Sequence, residues 1–189
     1  MKLIFLYTTL LMCACFNPAY AQDDFLLWYH DGGKRINHQD LNETIENVVK
    51  TLPAGQIPGM HDLVRETLMI ETHSGEYSYT YAAENWNNYG IAQIREDTAK
   101  WLLDLLYKRD RIAFSEVYKY YDPETSLKRN LMVNVPFSIA VCAQLYAHRL
   151  KGFKIDTQYN RALAWKRFYN TSKGLGTVQG YINRVRKFS

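Results

Sequence analysis

His61-Asp62-Leu63-Val64-Arg65-Glu66-Thr67-Leu68-Met69-Ile70-Glu71-Thr72 is an apolar segment of helical period that ends on a carboxylate, and its reading decides the fold class. At about 100° per residue, a helix over His61–Thr72 puts Glu71 within about 20° of Val64 and about 60° of Leu68, on their apolar face. Glu66 falls roughly 200° from Val64 and is predicted to face solvent. A carboxylate at the end of a buried face loses solvation, which favours its neutral form and raises its pKa. An acid that donates a proton to a glycosidic oxygen near neutral pH needs that shift. The same spacing also describes a Glu at a fraying helix end.

Further along the chain the helical period recurs. Leu41, Ile45, Val48, Val49 and Leu52 form one stripe after Asn37, stopped by Pro53-Ala54-Gly55. A helix over Asp97–Lys108 is predicted to turn Trp101, Leu102, Leu105 and Leu106 inward. Another begins near Asn134-Val135-Pro136, where Pro suits a first turn, buries Phe137, Ala140, Val141 and Leu145, and stops near Gly152. Asp156–Tyr169 and Thr177–Lys187 complete the set. Two stretches break the rule. Phe25-Leu26-Leu27-Trp28-Tyr29 before Asp31-Gly32-Gly33 is strand-like. In Tyr77-Ser78-Tyr79-Thr80-Tyr81 the tyrosines alternate with hydroxyl residues, which puts Tyr79 and Tyr81 on one aromatic face at the rim of a cleft. The expected fold is mainly α-helical, with a small β element near the cleft.

The first residues read as a targeting segment: Lys2, an apolar run over Leu3–Phe16 and the small-x-small triplet Ala19-Tyr20-Ala21. Cleavage after Ala21 is expected, with export to the periplasm; lipidation at Cys15 is the competing signal. The remaining apolar runs are too short for a membrane span, which takes roughly 20 residues. The expected organisation is a signal peptide over 1–21, a segment over 22–57 packing on the domain, and one domain over 58–189. Cys142, in Ile139-Ala140-Val141-Cys142, reads as a buried inert thiol. The formal charge is +4, one unit of it from Lys2. A mildly basic exported chain suits an anionic polymer. The 15 Tyr, 4 Trp and 8 Phe suit either sugar rings or an aromatic-rich core.

Three motifs in order carry a family resemblance. Glu71-Thr72 ends the apolar helix. Gly90-Ile91-Ala92-Gln93-Ile94 forms a loop leading to Asp97-Thr98-Ala99. Tyr169-Asn170-Thr171-Ser172-Lys173-Gly174-Leu175-Gly176 comes late, followed by Val178 and Tyr181. Over about residues 58–187 the order resembles the lytic transglycosylases of the goose-lysozyme-like superfamily. Those have Glu-Ser at the end of an apolar helix, a Gly-Leu-Met-Gln-like loop into a Thr-Ala helix, and a Tyr-Asn-Ala-Gly-x-Gly pattern. Asn134 is a looser match to an asparagine that begins the intervening helix. Thr72 stands where the family has Ser and Ala92 where it has Met. The Glu71-to-Gly90 segment is longer, and residues are inserted before Gly174.

The resemblance implies a lysozyme-like fold and cleavage of the bond between N-acetylmuramic acid and N-acetylglucosamine, with Glu71 as single acid and base and a 1,6-anhydro product. It implies that Gln93, with Gly90 and Asn170, lies against substrate, Gln93 binding the muramyl N-acetyl group or nearby backbone. Tyr169 would hold Glu71 in place, or serve packing alone. Partners would be peptidoglycan strands, serving a secretion, conjugation or pilus machine. The alternatives are a hydrolytic muramidase and a non-catalytic peptidoglycan-binding scaffold. The residues argue against other chemistries. His30, His38, His61, His73 and His148 form no metal-ligand spacing, and no phosphate-binding glycine loop is present, so no cofactor or metal is expected. His73 lies two residues from Glu71 and so on another helix face. Arg184, Arg186 and Lys187 complement a helix dipole rather than bind nucleic acid.

Overall fold

The computed structural model describes residues 38–72, 88–170 and 174–188. The extended stretches expected at Phe25–Tyr29 and Tyr77–Tyr81, with Tyr79 and Tyr81, lie outside the described residues, as do the targeting segment and Cys15.

Helix α1 (His38–Thr51) turns Leu41, Ile45, Val48 and Val49 into the interior, and a 3-10 turn over Pro53–Gln56 follows it. Helix α2 (Met60–Thr72) is buried on most sides rather than along one stripe. The β element is a hairpin of two short strands, β1 (Asn88–Tyr89) and β2 (Ile94–Arg95), antiparallel with Tyr89 opposite Ile94. Helices α3 (Glu96–Arg109), α4 (Arg111–Tyr118), α5 (Leu127–Val133), α6 (Val135–Leu150) and α7 (Gln158–Ala164) come next. A wide π-helical turn over Trp165–Asn170 continues α7, and α8 (Val178–Phe188) closes the order. Eight α-helices among the described residues make the fold mainly α.

Helix α6 is the axis. Its segment Phe137-Ser138-Ile139-Ala140-Val141-Cys142-Ala143-Gln144-Leu145-Tyr146 is buried throughout, and a helix apolar on every side needs neighbours on every side. α1, α2, α4, α5 and the π turn supply them. Asn134 starts it: its Oδ1 accepts from the Phe137 amide at 3.1 Å while its Nδ2 donates to the Tyr120 carbonyl at 2.7 Å. α1 shares this core with α2, so residues before 58 contribute to the same interior. A second apolar cluster joins Met69 and Ile70 of α2 to Trp165, Tyr181, Ile182 and Val185. Among the described residues no single helix is long and apolar enough to cross a membrane.

Several sequence expectations change. α4 and α5 were not foreseen; they are short, and their start signals are Asp110, whose side chain accepts from the Ala113 amide, and Ser126, which accepts from Arg129. Trp101 was expected inside but is 44% exposed; it meets the His148 ring edge-on at 5.3 Å on the surface. Leu105 is only half-buried, while Leu102 and Leu106 are inside as expected. Glu66, expected in solvent, is 1% exposed. The α2 wheel has a second buried face, against α8, where Glu66 meets Arg161 and Tyr181.

Candidate active site

Glu71 sits one residue before the end of α2, where the two apolar clusters meet. Burial pushes its carboxyl pKa up; a hydrogen bond from Trp165 and the positive charge of Arg184 pull it partly back. Trp165 Nε1 donates to Glu71 Oε1 at 2.8 Å. The indole thus fixes one carboxyl oxygen, and Oε2 has no hydrogen-bond partner among the described residues. Gly176 lies flat against the Trp165 ring, where an added Cβ would come within 2.3 Å of it. Tyr181 packs on the same indole, ring centroids 5.3 Å apart.

Next to Glu71, the Thr72 hydroxyl lies 2.9 Å from the Ile91 carbonyl and 3.1 Å from the Leu68 carbonyl, sharing its one proton between them. This joins the helix end to the hairpin loop Gly90-Ile91-Ala92-Gln93. The loop closes on itself: the Gln93 amide donates to the Gly90 carbonyl at 3.1 Å, and Gln93 Nε2 donates to the same oxygen at 2.9 Å. Ile91 and Ala92 are buried beneath it. Gly90 has φ +67°, and a Cβ there would lie 1.8 Å from the Leu131 carbonyl, so both the backbone and the space require glycine. Gly90→Ala is expected to cost at least roughly 1–3 kcal/mol from the left-handed backbone alone, and to displace the loop from α5. Urea denaturation measures the first effect. A variant within about 0.5 kcal/mol of the parent, the spread of neutral surface changes, would sink the assignment.

The π turn brings the late motif to the same place. Tyr169 donates its hydroxyl to the Ala92 carbonyl and stacks on Tyr146 at 5.1 Å. It holds the loop, not Glu71 as expected; the residue that holds Glu71 is Trp165, four positions earlier. Burial raises the Tyr169 pKa well above its ordinary value, with Cys142 and Glu71 adding to the effect, so it remains a neutral donor. Arg149 donates to the Phe168 carbonyl and ties the turn to α6. Lys166 Nζ bridges Asn170 Oδ1 at 2.9 Å and the Gly174 carbonyl at 2.7 Å. Asn170 therefore organises its own turn, and Gln93 uses amide donation within the loop; both side chains are half-buried. Arg184 Nη1 donates to the Ile70 carbonyl at 3.2 Å, at the negative end of α2.

The structure thus joins the end of α2 at Glu71-Thr72 to the Gly90–Gln93 loop and, through Trp165 and Tyr169, to the π turn, while Asn170 contacts only its own turn. Trp165, which holds Glu71, is the site residue not foreseen from the sequence; a lone Trp within the helix that ends in Tyr169-Asn170 was the available signal. The other described carboxylates nearby are engaged elsewhere. Glu66 is held by Arg161 at 2.9 and 2.7 Å, and exposed Asp97 pairs with Arg95 at 2.6 Å. Among the described residues no group of three His, Cys, Asp or Glu could hold a metal ion. What remains is one carboxyl whose pKa burial raises, oriented by an indole, beside a braced polar loop. No family model matches this chain, and no curated protein or solved structure matches it.

Proposed function

We propose that the chain is a peptidoglycan lytic transglycosylase with a lysozyme-like fold, exported to the periplasm, with Glu71 as its single acid and base. The observation that carries this reading is the Glu71 carboxyl itself, its pKa raised by burial and its Oε1 accepting the Trp165 N–H. In this reading Oε2 gives its proton to the bridging oxygen between N-acetylmuramic acid and N-acetylglucosamine, and the C1–O bond breaks. The carboxylate left behind then takes the proton of the muramyl C6 hydroxyl, whose oxygen closes onto C1 as the 1,6-anhydro ring. Glu71 ends the cycle protonated, and no water is consumed. Activating water is the task a second carboxylate would serve, and none is free beside Glu71 among the described residues. The braced loop at Gly90–Gln93 would give the sugar a fixed wall, with Gln93 at the N-acetyl group.

Intact sacculi incubated with the protein should release 1,6-anhydromuropeptides, each lighter by one water than the product of hydrolysis. Reducing-end products would make it a muramidase. No release, with retained binding, would make it a scaffold.

The acid must be protonated, so the rate is expected to fall as pH rises through the elevated Glu71 pKa. The Trp165 hydrogen bond lowers that pKa, because it stabilises the charged form. Trp165→Phe should therefore move the alkaline limb of the kcat/KM profile to higher pH while lowering its maximum. A limb that stays in place, or moves down, would remove Trp165 from the acid's control.

A further inference from the structure

The distal half of α3, together with α4 and the start of α5, encloses an open groove of about 280 Å³ that the chemistry above does not use. Its wall is a continuous run of rings. Tyr107 meets Phe114 edge-on at 5.2 Å, Phe114 stacks on Tyr118 at 5.2 Å, and Tyr118 leans on Tyr121 at 5.1 Å. Two of these are well exposed, Tyr107 at 48% and Tyr118 at 44%. Asp104 stands on the lining. Among the described residues neither its carboxylate nor the hydroxyls of Tyr107 and Tyr118 have a hydrogen-bond or ion-pair partner.

These groups select among occupants. A wholly apolar partner would bury the Asp104 carboxylate without a partner, at a high desolvation cost. A cation would meet the Arg111 guanidinium, which already lies 3.5 Å over the Tyr107 ring. A neutral sugar meets neither objection. Its apolar ring face packs on aromatic rings, and its hydroxyls reach phenols and a carboxylate at the rim. The groove and the candidate active site share helix α5. α5 carries Leu127 in the groove and Leu131 beneath Gly90, four residues or about 6 Å apart along the helix.

We propose that this groove is a second carbohydrate-binding site, which takes neutral sugar rings of the same glycan strand that the Glu71 cleft cuts. The assignment of the strand rests on the function proposed above; the sugar chemistry rests on the groove. A strand held here as well as at the cleft stays on the protein between cuts.

The test uses the full chain carrying Glu71→Gln, so that nothing is cut, with a soluble hexamer of N-acetylglucosamine and purified sacculi as probes. Tyr107→Ala with Tyr118→Ala should weaken hexamer binding roughly thirtyfold, each ring counting for about 1 kcal/mol of stacking. Asp104→Asn, an exposed near-isostere that leaves the fold intact, should weaken it about threefold, because the amide oxygen still accepts a hydroxyl and only the charge assistance is lost. Tyr159→Ala, an exposed aromatic on α7 that does not line the groove, should change nothing. In the cleaving parent, the Tyr107/Tyr118 double variant should slow release from sacculi without abolishing it. Unchanged hexamer affinity in both the double variant and Asp104→Asn would overturn the proposal. So would a concentration-dependent dimer that the double variant abolishes, since the occupant would then be a second copy. A parent that binds through the groove but releases no anhydro product would remove the proposed activity and leave the groove. Unaltered binding with normal product would remove the groove alone.

Discussion

Glu71→Gln is expected to lower anhydromuropeptide release by roughly 10²–10⁴-fold, the usual contribution of a positioned general acid, with thermal stability unchanged or raised. The amide is nearly isosteric and its oxygen can still accept the Trp165 N–H at 2.8 Å, while it removes the need to bury a charge. The pH dependence of stability gives a second readout. The folded-state pKa of Glu71 is raised above its unfolded value of about 4.3. Its protonated form therefore stabilises the fold fully below about pH 4.3, and this contribution is lost as pH rises through the folded pKa. Each unit of elevation corresponds to about 1.36 kcal/mol. Glu71→Gln should flatten this descent, leaving the variant relatively more stable at alkaline pH. A Glu71→Gln protein that still cuts at the parent rate would end the mechanism, whatever its fold.

Arg161→Ala should be the most destabilising single change on the C-terminal side. Arg161 is 11% exposed in its side chain and Glu66 2%, and they meet through two hydrogen bonds, with the Tyr181 hydroxyl donating a third at 2.8 Å. Removing the guanidinium leaves Glu66 buried with only that phenol, and breaking such a pair costs about 3–5 kcal/mol. For a chain of this size that lowers Tm on the order of 10 °C. Replacing both residues by Met should recover most of the loss, because the desolvation of two charges disappears with them. Arg161→Ala with a Tm within about 2 °C of the parent, less than 1 kcal/mol by the same scaling, would show that water reaches Glu66.

Elements with a clean apolar period were legible. Leu41-Ile45-Val48-Val49 marked α1, Phe137-Ala140-Val141-Leu145 marked α6, and Asn134 marked where α6 starts. The placement of Glu66 failed for a definite reason. A helical wheel assumes one buried side, whereas α2 is enclosed by α1, α6 and α8, and the partner that makes Glu66 burial tolerable lies 95 residues later. Trp101 failed in the opposite sense: an aromatic beside Leu102 reads as core, but it sits at the edge of the α3 stripe, on the surface beside His148. At the candidate site, Glu71, Gly90 and Tyr169 were visible as residue types in order. The contact between Trp165 and Glu71 was not, since it spans 94 residues and depends on the π turn setting the indole's direction. The division of labour between Trp165 and Tyr169 follows from that same turn.

The Cys142 thiol gives the molecule a built-in clock. It is wholly buried, its pKa is pushed up to about 12 by desolvation, and it lies beside Tyr169, the residue that latches the loop. Reagents attack thiolates they can reach, so labelling of Cys142 in a chain begun at Gln22 requires an opening event under the candidate site. Its rate over a denaturant series then separates a local breathing of that floor from global unfolding. A slower rate with glycan bound would time how long an occupied cleft stays shut.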